Sequence, residues 1–325
     1  MRVAADPLLS TIRISVLVLC MAIAARSDYE TLSVRDSHWI KWAIPAAILL
    51  LVEVTSNNSG TANICMVLAL VAVFSTCFTL PPDPRNLGKW NRIELSLSIV
   101  YIAGVSGLIL GISDNIDTNF VDLVLGAESP ETTLWWSMIA AILTMAVFLS
   151  AWRFGIIQGG ADVKALILAT LMFPSWAFLP EQMYQFEDEA IFRIPPSMAM
   201  FVWAGGAFLL APPVIFIQNA TKGKIDSISD IKMAWHATRR PISELDETPS
   251  WILTEVIEDE GKPIVVNRIL PSRKSSSVDN LELDKLKDLG VESVWVARKH
   301  PFIVYLFLAI GPLVLLGDPI ALLIR

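Results

Sequence analysis

The sequence predicts an all-α polytopic membrane protein of about eight transmembrane helices, with a small cytoplasmic α+β module before the last helix. Three observations carry that expectation. Of 325 residues, 54% are hydrophobic and only 18% charged, with a mean hydropathy of +0.56. A soluble domain of this length needs more surface charge. Apolar stretches near the length of a membrane helix, about 20 residues, recur along the chain. One stretch, residues 219–299, breaks the pattern with near-balanced charge, 13 Lys and Arg against 14 Asp and Glu.

The expected spans are residues 9–25, 39–54, 63–80, 93–112, 133–152, 163–180, 198–217 and 301–323. The first has two readings. Arg2, an apolar run and the small-residue end Ala22-Ile23-Ala24 resemble a cleaved secretory signal. Asp6 and Arg13 spoil the charge order of such a signal, and basic residues follow the run, so a retained span is the expectation. Orientation follows from Lys and Arg in the short loops. Arg26, Arg35 and Lys41 follow the first span, Arg85, Lys89 and Arg92 the third, and Arg153 the fifth, with Lys164 close by. The opposite loops, 55–62, 113–132 and 181–197, hold only Arg193, and the middle one is acidic. This asymmetry places the N-terminus outside and the basic loops in the cytoplasm of a cell-membrane protein. Tryptophans 39, 42, 90, 135, 136, 152 and 176 lie mostly near span ends, as an aromatic belt does. Gly205-Gly206 in the seventh span offers a site of close helix packing, and Pro212-Pro213 is expected to kink or end that helix.

The expected division is a membrane domain over 1–218, the module over 219–299 and a final span over 300–325. Within the module, residues 251–257, 263–270 and 292–297 read as strands. Residues 281–289 read as a helix closed by Gly290, and 272–279 as a polar loop.

The net charge of −7 argues against nucleic acid as a partner, because phosphate binding needs a basic surface. Cys20, Cys65 and Cys77 fall in apolar stretches and read as small hydrophobes. No His or Cys spacing matches a zinc site, so neither metal nor cofactor is expected.

Ionisable groups at membrane depth or at its edge attract a functional hypothesis. Asp28 follows the first span in Ala25-Arg26-Ser27-Asp28-Tyr29-Glu30, and Asp162 opens the sixth in Gln158-Gly159-Gly160-Ala161-Asp162-Val163-Lys164. Both fall at cytoplasmic helix ends under this topology. Two close carboxylates share one proton. The ionised member can then activate water while the protonated one polarises a peptide carbonyl. Gly159 and Gly160 would let backbone approach a substrate strand or make a sharp entry to the span. Position alone also fits plainer roles. On position alone Asp28 reads as a solvated loop residue, and Asp162 as a helix-start residue complementing the dipole.

Together these segments resemble the archaeal preflagellin peptidases and the wider type IV prepilin peptidases, membrane aspartic proteases of the G-x-G-D type. Asp28, followed by Val34-Arg35-Asp36, is similar to the family's first segment, with Arg35 where a proline is usual. Gly159-Gly160-Ala161-Asp162 is similar to the second motif, with Ala161 in place of its second glycine, as archaeal members tolerate. Val163-Lys164-Ala165-Leu166, Phe173-Pro174, Val294-Trp295-Val296, Pro301-Phe302 and Gly317-Asp318-Pro319 also resemble archaeal members. Most of residues 40–150 has no detailed counterpart. Four spans separate the two aspartates where many relatives have two, and an inserted helix pair preserves their orientation. The resemblance implies catalytic Asp28 and Asp162, supported by Gly159, Gly160, Ala161, Lys164 and Asp36. It implies no methyltransferase activity. It implies a preflagellin- or prepilin-like precursor as partner, with a short positive leader cut from an apolar helix at the cytoplasmic face. Glu30, Asp36 or acids of the module could read the leader charge, though each also reads as a solvated charge. Lys164 is expected to snorkel to the interface or tune the dyad. Two other classes stand beside the protease. One is a proton- or cation-coupled transporter using the same aspartates, and the other a non-catalytic scaffold of a filament machine.

Overall fold

The computed structural model describes residues 6–85, 90–125, 127–180, 193–245, 250–259, 262–269, 280–298 and 300–323. The chain forms two compact units. The first holds Met1–Arg26, Ser33–Gly205 and Phe302–Arg325, and the second Ser27–Leu32 with Gly206–Pro301. The second unit thus begins earlier than the module expected at 219, because the segment after Gly205 packs with the module.

Among the described residues, five helical segments are long and apolar enough to cross a membrane. They are α1 (Pro7–Thr31), α2 (Asp36–Ser56), α4 (Arg92–Asp114), α6 (Pro130–Arg153) and the run Pro196–Thr221. The chain is therefore a mostly helical, multi-pass membrane protein. α3 (Thr61–Ser75) and α12 (Phe302–Leu316) are apolar but 15 residues each, about 22 Å of helix. α5 (Phe120–Val124) is a single turn inside the acidic loop.

Local signals set these ends. Asp6 Oδ1 accepts from Leu8 N at 2.8 Å, with Pro7 at the first helical position of α1. Asn91 and Glu94 form a reciprocal capping box on α4, and Ser129 caps α6 ahead of Pro130. α1 does not stop where its apolar run stops. It continues through Arg26 and Ser27 to Thr31, about 37 Å in all. The expected span over 163–180 is also revised. α7 (Gly160–Met172) is only 13 residues, because Phe173 precedes Pro174 and leaves helical geometry at φ −130°, ψ 76°. A 3-10 turn at Trp176–Phe178 follows. The run Pro196–Thr221 is broken into α8 (Pro196–Leu209) and α9 (Ala211–Thr221), where Pro212 and Pro213 remove two backbone donors from the first turn of α9.

α7 is the axis of the first unit. Every residue from Val163 to Met172 is buried, enclosed by α2, α3, α6 and α12. Thr170 donates to Ser197 Oγ at 2.7 Å, tying α7 to α8. α13 (Pro319–Leu323) closes the chain. Gly317 takes φ +80°, and the buried Asp318 accepts from Ile320 N and Ile194 N at 2.8 and 2.9 Å. The Gly317-Asp318-Pro319 run therefore has a structural task as a helix start and anchor.

α3 and α4 meet almost backbone to backbone. A Cβ at Gly104 would lie 2.7 Å from Ala69 Cα, and one at Gly107 2.8 Å from Cys65 C and Met66 N. Backbone cannot yield, so Gly107→Val forces the helices apart, at a cost of about 1–3 kcal/mol. Gly205 and Gly206 differ from expectation. A Cβ at either would meet nothing within 4 Å, so they do not serve close packing. Thermal unfolding in detergent should show a lowered midpoint for Gly107→Val and an unchanged one for Gly205→Ala.

The second unit is α+β. β1 (Thr238–Pro241), β5 (Ser293–Arg298) and β2 (Ser250–Ile252) form an antiparallel sheet in the order β1-β5-β2. β3 (Thr254–Asp259) and β4 (Lys262–Asn267) form a hairpin. The strand expected over 251–257 divides at Leu253, whose N–H donates to Trp295 O and whose carbonyl accepts from Arg268 N, both at 2.8 Å. β5 alternates sides. Val294 and Val296 pack with Ile252, Leu286 of α11 (Asn280–Asp288) and Ile242 of a 3-10 turn. Trp295 and Ala297 pack with Met233 and Ala234 of α10 (Ile228–Ala234). Gly290, at φ +76°, closes α11 as its sequence implies. The polar loop expected at 272–279 lies outside the described residues.

Candidate active site

Asp28 lies in the last turn of α1, about 32 Å along the helix from Pro7. It is a helical residue and is buried, at 7% exposure, not a solvated loop residue. It belongs to the second unit with Ser27–Leu32, while Asp162 belongs to the first.

Asp162 sits in the first turn of α7, where a carboxylate complements the partial positive charge of the helix start. Gly159 is the N-cap, in extended backbone at φ −82°, ψ 103°. Its lack of a side chain is used directly. A Cβ there would collide with Asp162 Oδ2 and lie 2.7 Å from Cγ. Gly160 is pressed against the Trp152 indole, 3.0 Å from a hypothetical Cβ to Cζ2. The two glycines thus make room for a carboxylate and for an aromatic ring, and Ala161 is half-buried beside them.

Asp36 and Lys164 are brought together. Lys164 Nζ donates to Asp36 Oδ1 at 2.6 Å, linking α7 to the first residue of α2. The ammonium also lies 5.1 Å from the Phe78 ring centroid and 5.6 Å from that of Trp152. Lys164 therefore does not snorkel to solvent. Its side chain is 11% exposed, whereas that of Asp36 is 59% exposed. The pair is asymmetric, so its two halves should respond differently. Asp36→Asn leaves an enclosed ammonium without its anion and costs about 1–3 kcal/mol. Lys164→Met leaves a carboxylate that water already solvates, and costs under about 1 kcal/mol. Chemical unfolding of both variants checks the order.

Sequence reasoning passed over a second ion pair. Arg13 of α1 and Glu53 of α2 are in direct contact and both fully enclosed, at 0% and 1% exposure. Arg13 Nη2 also donates to Leu49 O at 3.0 Å, and its guanidinium lies 4.8 Å from the centroid of Phe178. Both residues fall inside candidate spans, at the helix ends remote from Asp28. The signal was available as one basic and one acidic residue in consecutive apolar runs.

Glu30 is exposed. Among the described residues, no group of three or more His, Cys, Asp or Glu side chains is gathered as metal ligands would be. No protein-family model matches the chain, and no curated protein is significantly similar to it.

Proposed function

We propose that the chain is a membrane aspartic endopeptidase that removes the short, positively charged leader from preflagellin- or prepilin-like precursors. The observation that carries this reading is the setting of its two motif aspartates. Asp28 is buried on the last turn of a spanning helix, and Asp162 opens the central helix under a glycine whose missing side chain leaves space for the carboxylate. Counting α3, α7 and α12 as spans gives eight. With the basic loops inside, α1 then ends and α7 begins at the cytoplasmic face of the cell membrane.

In this reading Asp28 and Asp162 act as one titrating unit, holding one proton between them. The ionised carboxylate takes a proton from the attacking water. The protonated one donates to the carbonyl oxygen as the tetrahedral centre forms; as the C–N bond breaks, the proton taken from water passes to the leaving amine and the hydroxyl returns the other proton to its carboxylate. No covalent intermediate forms. The precursor's apolar helix lies among the spans, its leader stays in water, and the scissile segment is extended, because helical carbonyls are already hydrogen-bonded. Lys164 and Asp36 position the start of α7.

The test is leader removal by the membrane-embedded protein, read by mass, on archaellin-type and pilin-type precursors. Cleavage immediately before the apolar helix is expected. Its rate should be bell-shaped in pH, since the unit works only with one proton bound. Intact precursors of both types with folded protein would reject the reading. Proton or cation flux in liposomes, abolished by Asp28→Asn, would favour the transporter instead.

A further inference from the structure

The second unit contains a cavity of about 240 Å³ that the aspartates do not explain. Its lining includes Gln218, His236, Thr238, Arg240, Ser250 and His300. Strand register explains part of this set. Thr238 and Arg240 lie two apart on β1, and Thr238 pairs with Val296, itself a lining residue, so the three share one sheet face. Ser250 lies two residues from Ile252, which also pairs with Val296. Gln218 comes from the last turn of α9, the end of the apolar run Pro196–Thr221, so the cavity lies beside the end of a candidate membrane span.

Among the described residues the charge here is mainly positive, with Glu244 as an opposing carboxylate. Neighbouring Arg239 faces the other way and is neutralised, its Nη1 donating to Asp226 Oδ2 at 2.5 Å and its Nε to Ser293 Oγ at 2.8 Å. Among the described residues no carboxylate forms an ion pair with Arg240. Lys224 stands near both Arg240 and Lys222. Burial holds the Lys224 ammonium below its usual range, repulsion from Lys222 and Arg240 adds to this, and Glu244 offsets part of it. His236 Nε2 donates to Ile269 O at 3.1 Å. A polar cavity lined by a guanidinium, two hydroxyls and the His300 imidazole, with the Lys224 ammonium group nearby, offers donors suited to a tetrahedral oxyanion. It would repel a positive leader, so it is separate from any leader-reading surface.

We propose that this cavity binds a phosphate ester, with Arg240 as its principal ligand. Two sources share that chemistry. One is the headgroup of an anionic lipid, which the position at the end of α9 favours, since basic pockets at membrane edges take such headgroups. The other is a soluble phosphate compound.

The full-length protein is tested with two probes. Phosphatidylglycerol is presented in nanodiscs and its retention counted by native mass spectrometry. Inorganic phosphate is titrated in detergent against chloride at equal ionic strength, with the unfolding midpoint as readout. At least one probe should bind wild type, about tenfold more weakly in Arg240→Gln, with partial recovery in Arg240→Lys and no change in Lys232→Gln. Lipid retention without a phosphate effect assigns the headgroup, and the reverse assigns a soluble phosphate. If Arg240→Gln does not fold, Lys224→Gln carries the same comparison. Binding of neither probe, or equal binding by wild type and the glutamine variants, overturns the proposal. None of these readouts depends on proteolysis.

Discussion

Under the proposed protease reading, replacing either Asp28 or Asp162 by asparagine is expected to lower leader removal by roughly a thousandfold or more, the scale of general acid–base catalysis. Asparagine keeps the shape and can still hydrogen-bond, but it cannot ionise or pass a proton. If the two carboxylates work as the proposed unit, the double variant should be no slower than the worse single one. Stability should barely move at Asp162, which is half-buried at a helix start where asparagine is tolerated. Gly159→Ala should give a graded loss, because its methyl group pushes the Asp162 carboxylate aside without unfolding α7. Initial rates on one precursor, with circular dichroism on each variant, check the set. Rates within tenfold of wild type in either asparagine variant would remove that residue from the chemistry.

The largest stability effect is expected at Glu53. Glu53→Gln strands the Arg13 guanidinium, 0% exposed, inside the first unit. An uncompensated buried charge costs about 3–5 kcal/mol. Leu49 O and the Phe178 ring remain as partners but carry no full negative charge. The double replacement Arg13→Met with Glu53→Leu removes both charges and should recover most of the loss, because apolar packing often replaces a buried pair without penalty. Unfolding in detergent measures both. The pair lies at the helix ends remote from Asp28, so the double variant should keep leader removal, which separates a clamp from a catalytic or ion-carrying role. A double variant as unstable as Glu53→Gln would mean that the charges do more than neutralise each other.

Much of this architecture was legible because membrane helices are marked by composition, which needs no partner to be read. The boundaries were less so. The charges at Arg26 and Asp28 end the apolar run of α1 but not its helix, since backbone hydrogen bonding continues through polar residues at a membrane edge. At α7 the reverse holds. Apolar residues run on past Met172, but Phe173-Pro174 ends the helix. β1, Thr-Arg-Arg-Pro, is three polar residues and a proline whose pairing with β5 depends on distant chain. The contact of Lys164 with Asp36, 128 residues away, follows from helix packing that no local pattern encodes. By contrast, the task of Gly159 is local, since Asp162 is only three positions further along the chain.

The most direct test of the central claim is a single turnover in ¹⁸O-labelled water. Purified protein in nanodiscs is mixed with a smaller amount of precursor, and both products are weighed. The account expects a cut immediately before the apolar helix, one ¹⁸O atom in the new leader carboxylate, no enzyme-linked leader, and none of these products with Asp28→Asn or Asp162→Asn. An acyl-enzyme of added leader mass, or cleavage that persists in both variants, would contradict water activation by the two aspartates.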